Sequence, residues 1–210
     1  CEHPLLIGSS MRGFLDGAMC EYLIMHEKQL YHLPDEVSYD YGTFLDPLGN
    51  AIHLINRGGV KLGDKVVITG AGTIGLLAVQ TARLAGAVKV IAVDLSDYKL
   101  GIAKDVGATC CLKSDDPDFL EKVKQETDGM GPDVVVEAVG ISTTYNLALQ
   151  MCRKRGTVVA LGFTKPELEL AIQQIVYKEL HVFGSTGYAD ECGTTLEYLK
   201  NNMVDIEKVI

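Results

Sequence analysis

Gly70-Ala71-Gly72-Thr73-Ile74-Gly75 has the residue types and spacing to bind a diphosphate. An apolar run, Lys65-Val66-Val67-Ile68-Thr69, leads straight into it, and Leu76 to Ala82 continues it with helical character. In that context the glycines have separate tasks. Gly70 makes the tight turn, Gly72 lets a pyrophosphate approach the backbone, and Gly75 lets helix and strand pack closely. The helix mouth at Thr73 and Ile74 then turns free N–H groups and a positive dipole end toward the phosphates. About 20 residues further on, Val90-Ile91-Ala92-Val93 ends at Asp94. A carboxylate there accepts hydrogen bonds from both adenosine ribose hydroxyls and repels a 2′-phosphate, which favours NAD(H) over NADP(H). Lys99, five residues on, is placed to cover the adenine or ribose. Asp94 could instead cap the helix that follows, although Ser96 is the better cap.

The elements needed to hold such a site follow one another from Lys61 onward. Apolar strands are expected at Val66–Thr69, Val88–Val93, Thr109–Leu112, Val134–Glu137, Thr157–Leu161 and Leu180–Ser185. Amphipathic helices are expected at Gly72–Ala85, Asp97–Val106, Asp118–Thr127, Thr143–Arg155 and Ala189–Asn201, with at most a short helix between Thr164 and Glu179. Strands that are apolar throughout and linked by helices imply a parallel sheet covered on both faces. The fold class is therefore α/β, a doubly wound six-stranded sheet of Rossmann type. Ligands in such folds lie at the carboxyl ends of the strands. Val139 and Gly140, Gly162 and Phe163, and Ser185 are thus candidates to hold the nicotinamide half, though strand ends also need glycine turns for their own sake.

Ahead of this region the pattern differs. Gly17–Met25 and Gln29–Leu33 read as short strands closed by Pro34, too few to bury themselves without a partner. A helix from about Tyr39 to Asn56 follows, with Ser38 as its cap and Arg57-Gly58-Gly59 as its stop.

Composition excludes several classes. The 210 residues are 47% hydrophobic and 22% charged, enough for a sizeable core, and the formal net charge of −9 argues against a nucleic-acid groove or an anionic membrane surface. Val66 to Val93 is apolar, but Gly70, Gly72, Gly75, Gly86, Arg83 and Lys89 break it into strand, helix and strand. No secretory leader is expected from the opening residues, and the abrupt ends read as those of a fragment. The five histidines form no HExxH or HxH pair, and the six cysteines are read as reduced thiols of a cytoplasmic protein.

The string Asp46-Pro47-Leu48-Gly49-Asn50-Ala51-Ile52-His53, the glycine loop, Asp94 and the Cys1 to Tyr22 region together resemble the zinc-dependent medium-chain dehydrogenases of the alcohol dehydrogenase superfamily. The stretch from Asp46 to His53 is especially similar to threonine 3-dehydrogenases and sorbitol-type polyol dehydrogenases. The resemblance implies that residues 1–38 are the end of a GroES-like catalytic β domain and 39–60 a connecting helix. It makes 61–188 the NAD-binding domain and 189–210 a helix returning toward the catalytic domain. It places Asp46 at the catalytic zinc and Cys1 as the last of four structural-zinc cysteines, with the remaining ligands and the proton relay expected upstream. A buried acid before a proline is also costly unless paired or metal-bound, which gives Asp46 weaker support of its own; a helix-dipole role is the alternative. His53, seven residues from Asp46 on the same helical face, reads as a satisfied core histidine.

The expected activity is hydride transfer between a secondary alcohol, polyol or threonine-like substrate and NAD, zinc-assisted in an intact enzyme that is a dimer or tetramer. Two alternatives stand beside it. One is a truncated NAD(H)-binding module without turnover. The other is a zinc-free quinone or enoyl reductase of the same superfamily, disfavoured by Asp94 and Cys1.

Overall fold

The structure, a computed structural model, describes residues 8, 16–164, 167–188 and 190–210. The chain divides into two compact units, Cys1–His32 and Leu33–Ile210. Cys1 lies outside the described residues.

In the first unit the expected strands do not form. Among its described residues the only regular element is a 3-10 helix, Glu27–Gln29, closed by the Gln29 amide on the His26 carbonyl at 2.9 Å. Met19, Tyr22 and Ile24 are exposed. Gly17–Met25 has strand-like composition, but a strand needs a neighbouring ladder for its backbone groups and a surface for its apolar side chains. Composition alone supplies neither.

The second unit carries the sheet. Its strands are β1 (Lys65–Thr69), β2 (Lys89–Asp94), β3 (Cys110–Lys113), β4 (Val134–Glu137), β5 (Thr157–Ala160) and β6 (His181–Gly184). All pairings are parallel, and the order is β3-β2-β1-β4-β5-β6. In register, Val67 sits between Ile91 and Val135 at the centre. Because side chains alternate along a strand, the same apolar run feeds two cores. Val66 and Ile68 pack with Leu48, Leu54 and Leu77 on one face; Val67 and Ile91 pack with Phe119, Val123 and Leu149 on the other.

Eight α-helices are described: α1 (Tyr39–Gly42), α2 (Leu45–Gly58), α3 (Thr73–Leu84), α4 (Asp97–Asp105), α5 (Phe119–Glu126), α6 (Ser142–Met151), α7 (Ile172–Lys178) and α8 (Cys192–Lys200). The single helix expected over 39–56 is two. Ser38 caps the first through the Tyr41 amide, and the chain breaks at Thr43 and Phe44. Pro47 explains the break, since it has no N–H for the Thr43 carbonyl but sits well in the first turn of a new helix. α2 ends where Gly59 enters the left-handed region at φ 64. α6 also stops earlier than Arg155. Cys152 turns to an extended conformation, and Arg153 pairs instead with Asp133 at 2.7 Å, on the loop entering β4. The last segment is tied to the sheet layer: α8 packs on α2, and Gln80 exchanges two hydrogen bonds with the Asp205 backbone, at 2.6 and 3.2 Å.

A candidate dinucleotide-binding cleft

β1 delivers the chain to Gly70, whose φ of +92 is the left-handed conformation a side chain resists. The Gly70 amide donates to the Val93 carbonyl at 2.7 Å, so the turn is held against the end of β2. A methyl at Gly75 would overlap the Gly70 carbonyl oxygen, so α3 can approach β1 only with glycine there. At Gly72 a methyl would meet nothing within 4 Å. Neither backbone conformation nor packing requires glycine at 72, and what remains is space for something that approaches from outside. Gly72 is also the N-cap of α3 and supplies no side-chain cap, so the first-turn amides at Thr73, Ile74 and Gly75 face that space without a capping oxygen. This is how a diphosphate cradle is built.

Asp94 closes β2 beside the cradle with its side chain 14% exposed. One carboxylate oxygen accepts from the Ala71 amide at 2.9 Å, the other from the Ser96 amide at 3.0 Å. A carboxylate has about four acceptor positions. Two backbone donors therefore fix its orientation and leave room for two ribose hydroxyls. The capping of α4 belongs to Ser96, whose hydroxyl oxygen accepts from the Lys99 amide, so Asp94 is not needed as the cap. Lys99 Nζ lies 3.9 Å from Asp94 and is half exposed, which makes it a weak electrostatic partner.

Gly70, Asp94, Lys99 and Val139 line one cleft of about 220 Å³. Its far wall is apolar, built from Phe119, Ile141 and Leu147. These three were not singled out in the sequence. They come from the start of α5, the residue that caps α6 and the middle of α6, and nothing in the sequence brings these three places together. The carboxyl ends of β4 and β5 also meet. A methyl on Gly140 would press on Gly162 and the Phe163 amide, so the β4–α6 and β5–α7 loops touch backbone to backbone. Phe163 is exposed, and the buried Ser185 hydroxyl finds no hydrogen-bond partner among the described residues. A buried hydroxyl left unpaired at a strand's carboxyl end calls for a polar partner that the described residues do not supply.

The metal candidates stand apart. Asp46 is in the first turn of α2, and its side chain is exposed. The expectation that it is buried is thus corrected: the N-terminal turn points it to solvent, where it complements the helix dipole at little cost. His53 is satisfied, with Nδ1 2.8 Å from the Glu191 carboxylate. Among the described residues no three His, Cys, Asp or Glu side chains converge as a metal site.

A parallel sheet in the order 3-2-1-4-5-6, with a glycine cradle after β1 and an acid at the end of neighbouring β2, defines a dinucleotide-binding domain. Residues 73–201 match the family model for zinc-binding dehydrogenases, and the chain belongs to that family. Sorbitol dehydrogenase of Halalkalibacterium halodurans is 34% identical over 187 residues, covering 88% of this chain and 53% of its own. Alcohol dehydrogenase TADH of a Thermus species superposes with a TM-score of 0.84 at 30% identity, covering 95% of this chain and 60% of its own. An alcohol dehydrogenase of Escherichia coli CFT073 complexed with NADH superposes with a TM-score of 0.84 at 26% identity, over 92% of this chain and 57% of its own. The chain spans about half the length of the curated relatives it matches.

Proposed function

We propose that this chain binds NAD(H) through residues 70–75 and Asp94, as the coenzyme domain of a dehydrogenase acting on a secondary alcohol or polyol. The observation that carries the reading is the pairing of open space at Gly72 with a carboxylate held by the Ala71 and Ser96 amides. When bound, NAD supplies the nicotinamide that takes up or returns a hydride. The chain's own residues do the placing. The first turn of α3 neutralises the diphosphate, Asp94 grips the unphosphorylated ribose, Phe119 and Leu147 exclude water around the base, and Val139, Gly140, Gly162, Phe163 and Ser185 flank the distal half. Lys99 covers the ribose edge. The relatives named for sorbitol and xylulose favour a polyol as the alcohol.

The described residues do not by themselves fit a zinc ion: Asp46 is a single exposed carboxylate. Zinc in the intact enzyme therefore takes most of its ligands from other residues. The domain reading remains 61–188 for coenzyme, 39–60 for the connection, and 1–38 with 189–210 toward the catalytic domain. Among the described residues the free thiols of Cys20, Cys110, Cys111 and Cys152 favour a reducing, cytoplasmic setting, and no helix is long and apolar enough to cross a membrane. We read the edge strand β6, with Val182 and Phe183 exposed, as the pairing edge of a dimer.

Calorimetric titration with NADH and NADPH tests the cofactor reading directly. Tighter NADH binding is expected; equal affinity would overturn it.

A further inference from the structure

Glu137 ends β4 and is completely buried. A buried carboxylate is expensive unless it is paired, yet among the described residues no cation pairs with it. Its partners are neutral donors from one short stretch: the Val139 amide at 3.2 Å, the Gly140 amide at 3.0 Å, and the Thr144 hydroxyl at 2.6 Å. All three belong to the β4–α6 loop or the first turn of α6.

The next residue of α6 reaches the other loop. Tyr145 donates its hydroxyl to the Gly162 carbonyl at 2.6 Å. Burial first, and then the charge of Glu137, push the Tyr145 pKa well above its ordinary value, so the hydroxyl keeps its proton and remains a donor. The Thr164 hydroxyl returns the link by donating to the Gly140 carbonyl at 2.7 Å. The glycines between these bonds are in contact, as a methyl on either would overlap the other loop.

The sheet does not need this network. β4 and β5 already pair along Val134–Glu137, and the amides of Leu161 and Gly162 already donate to the Glu137 carbonyl. What the side chains add is a fixed separation between the β5–α7 loop and the β4–α6 loop, whose Val139 and Ile141 line the cleft. We propose that Glu137 and Tyr145 are positioning residues that set this separation and so hold the nicotinamide half of the cofactor, leaving the adenosine half to Asp94 and the glycine cradle. This inference rests on the NAD(H) reading of the cleft.

NADH and ADP-ribose, which lacks the nicotinamide, separate the two halves. Both are titrated calorimetrically into the chain and into its Glu137→Gln and Tyr145→Phe forms, with melting temperatures recorded alongside. Tyr145→Phe removes one hydrogen bond and is expected to weaken NADH binding about fivefold to tenfold. Glu137→Gln places an amide against the Gly140 N–H and is expected to cost at least as much. ADP-ribose affinity should stay within about twofold. Equal losses for both ligands would reduce the network to a general structural role, and unchanged NADH affinity would remove it from binding; either result overturns the inference while the cofactor reading stands. Failure of the unaltered chain to bind ADP-ribose would sink the cofactor reading, and this inference with it. Should Glu137→Gln not fold, Tyr145→Phe decides alone.

Discussion

Replacing Asp94 with serine should change both what the cleft binds and how firmly the loop beside it is held. In the unaltered chain the carboxylate would lie about 4 Å from a 2′-phosphate, and one pair of unit charges at that distance costs about 1 kcal/mol even in bulk water. A phosphate carrying nearly two charges is therefore disfavoured by about 2 kcal/mol. Asp94 is largely shielded from solvent, which makes this a lower bound. For NADH the loss is at least one hydrogen bond to a charged group, about 1.5–3 kcal/mol. Both terms move selectivity the same way, by about 3.5–5 kcal/mol, or roughly three orders of magnitude in the NADH-to-NADPH affinity ratio.

The substitution also strips the Ala71 and Ser96 amides of their acceptor. At about 1 kcal/mol each, the melting temperature should fall by about 4–8 °C. Asp94→Asn would be no cleaner, because both carboxylate oxygens already accept from N–H groups and one of them would become an NH2. The assay is calorimetric titration of both cofactors into both forms at one fixed ionic strength, since salt screens the phosphate term. A ratio that moves less than about tenfold would show that Asp94 is not the discriminating residue, whatever happens to stability.

The remaining expectations separate folding from binding. Gly72→Ala should leave the melting temperature within a degree or two, because its methyl meets nothing, while NADH affinity falls more than about tenfold; Gly75→Ala, whose methyl would overlap the Gly70 carbonyl oxygen, should not yield a folded chain. Lys99→Ala removes a half-exposed cation worth under about 1 kcal/mol, so NADH affinity should change less than about fivefold while the residual NADPH affinity falls, read in the same titrations. Burial raises the Cys152 thiol from 9.0 to about 12, so the folded chain holds that proton more tightly than the unfolded chain. Its contribution to stability is full below pH 9 and is lost as pH rises toward 12; thermal scans should show a steep alkaline fall that Cys152→Ala flattens. A thiol reagent near pH 8, with sites read by peptide mass, should modify exposed Cys20 and spare Cys152.

The sheet was legible in the sequence because each strand is an apolar run that needs no outside help. Val134–Glu137 forms with both ends as read, and Val66–Thr69 gains only Lys65. Ladder and core come from neighbours of the same kind, all within the chain. The strands read in Gly17–Met25 and Gln29–Leu33 fail on that point: their side chains suit a sheet, but among the described residues no partner strand pairs with them. The break before α2 was readable in principle from Pro47, whose missing N–H forbids one continuous helix.

In the site, legibility followed sequence distance. The cradle and the acid are visible because turn, dipole and carboxylate lie within one strand–helix–strand unit, where spacing fixes geometry. In the sequence Glu137 marks only the last residue of a strand, and Tyr145 only part of a helix. Their meaning depends on Gly162, a residue of another loop brought into contact by β4–β5 pairing, and no period in the sequence encodes that contact. Asp46 shows the converse error, since a run of apolar neighbours suggested burial although its place in the first helical turn faces solvent. Local spacing thus specifies the half of the cleft proposed to grip the common adenosine diphosphate. The half proposed to meet the reacting ring depends on tertiary contacts, and variants that spare the first while disturbing the second are the sharpest probes of this fold.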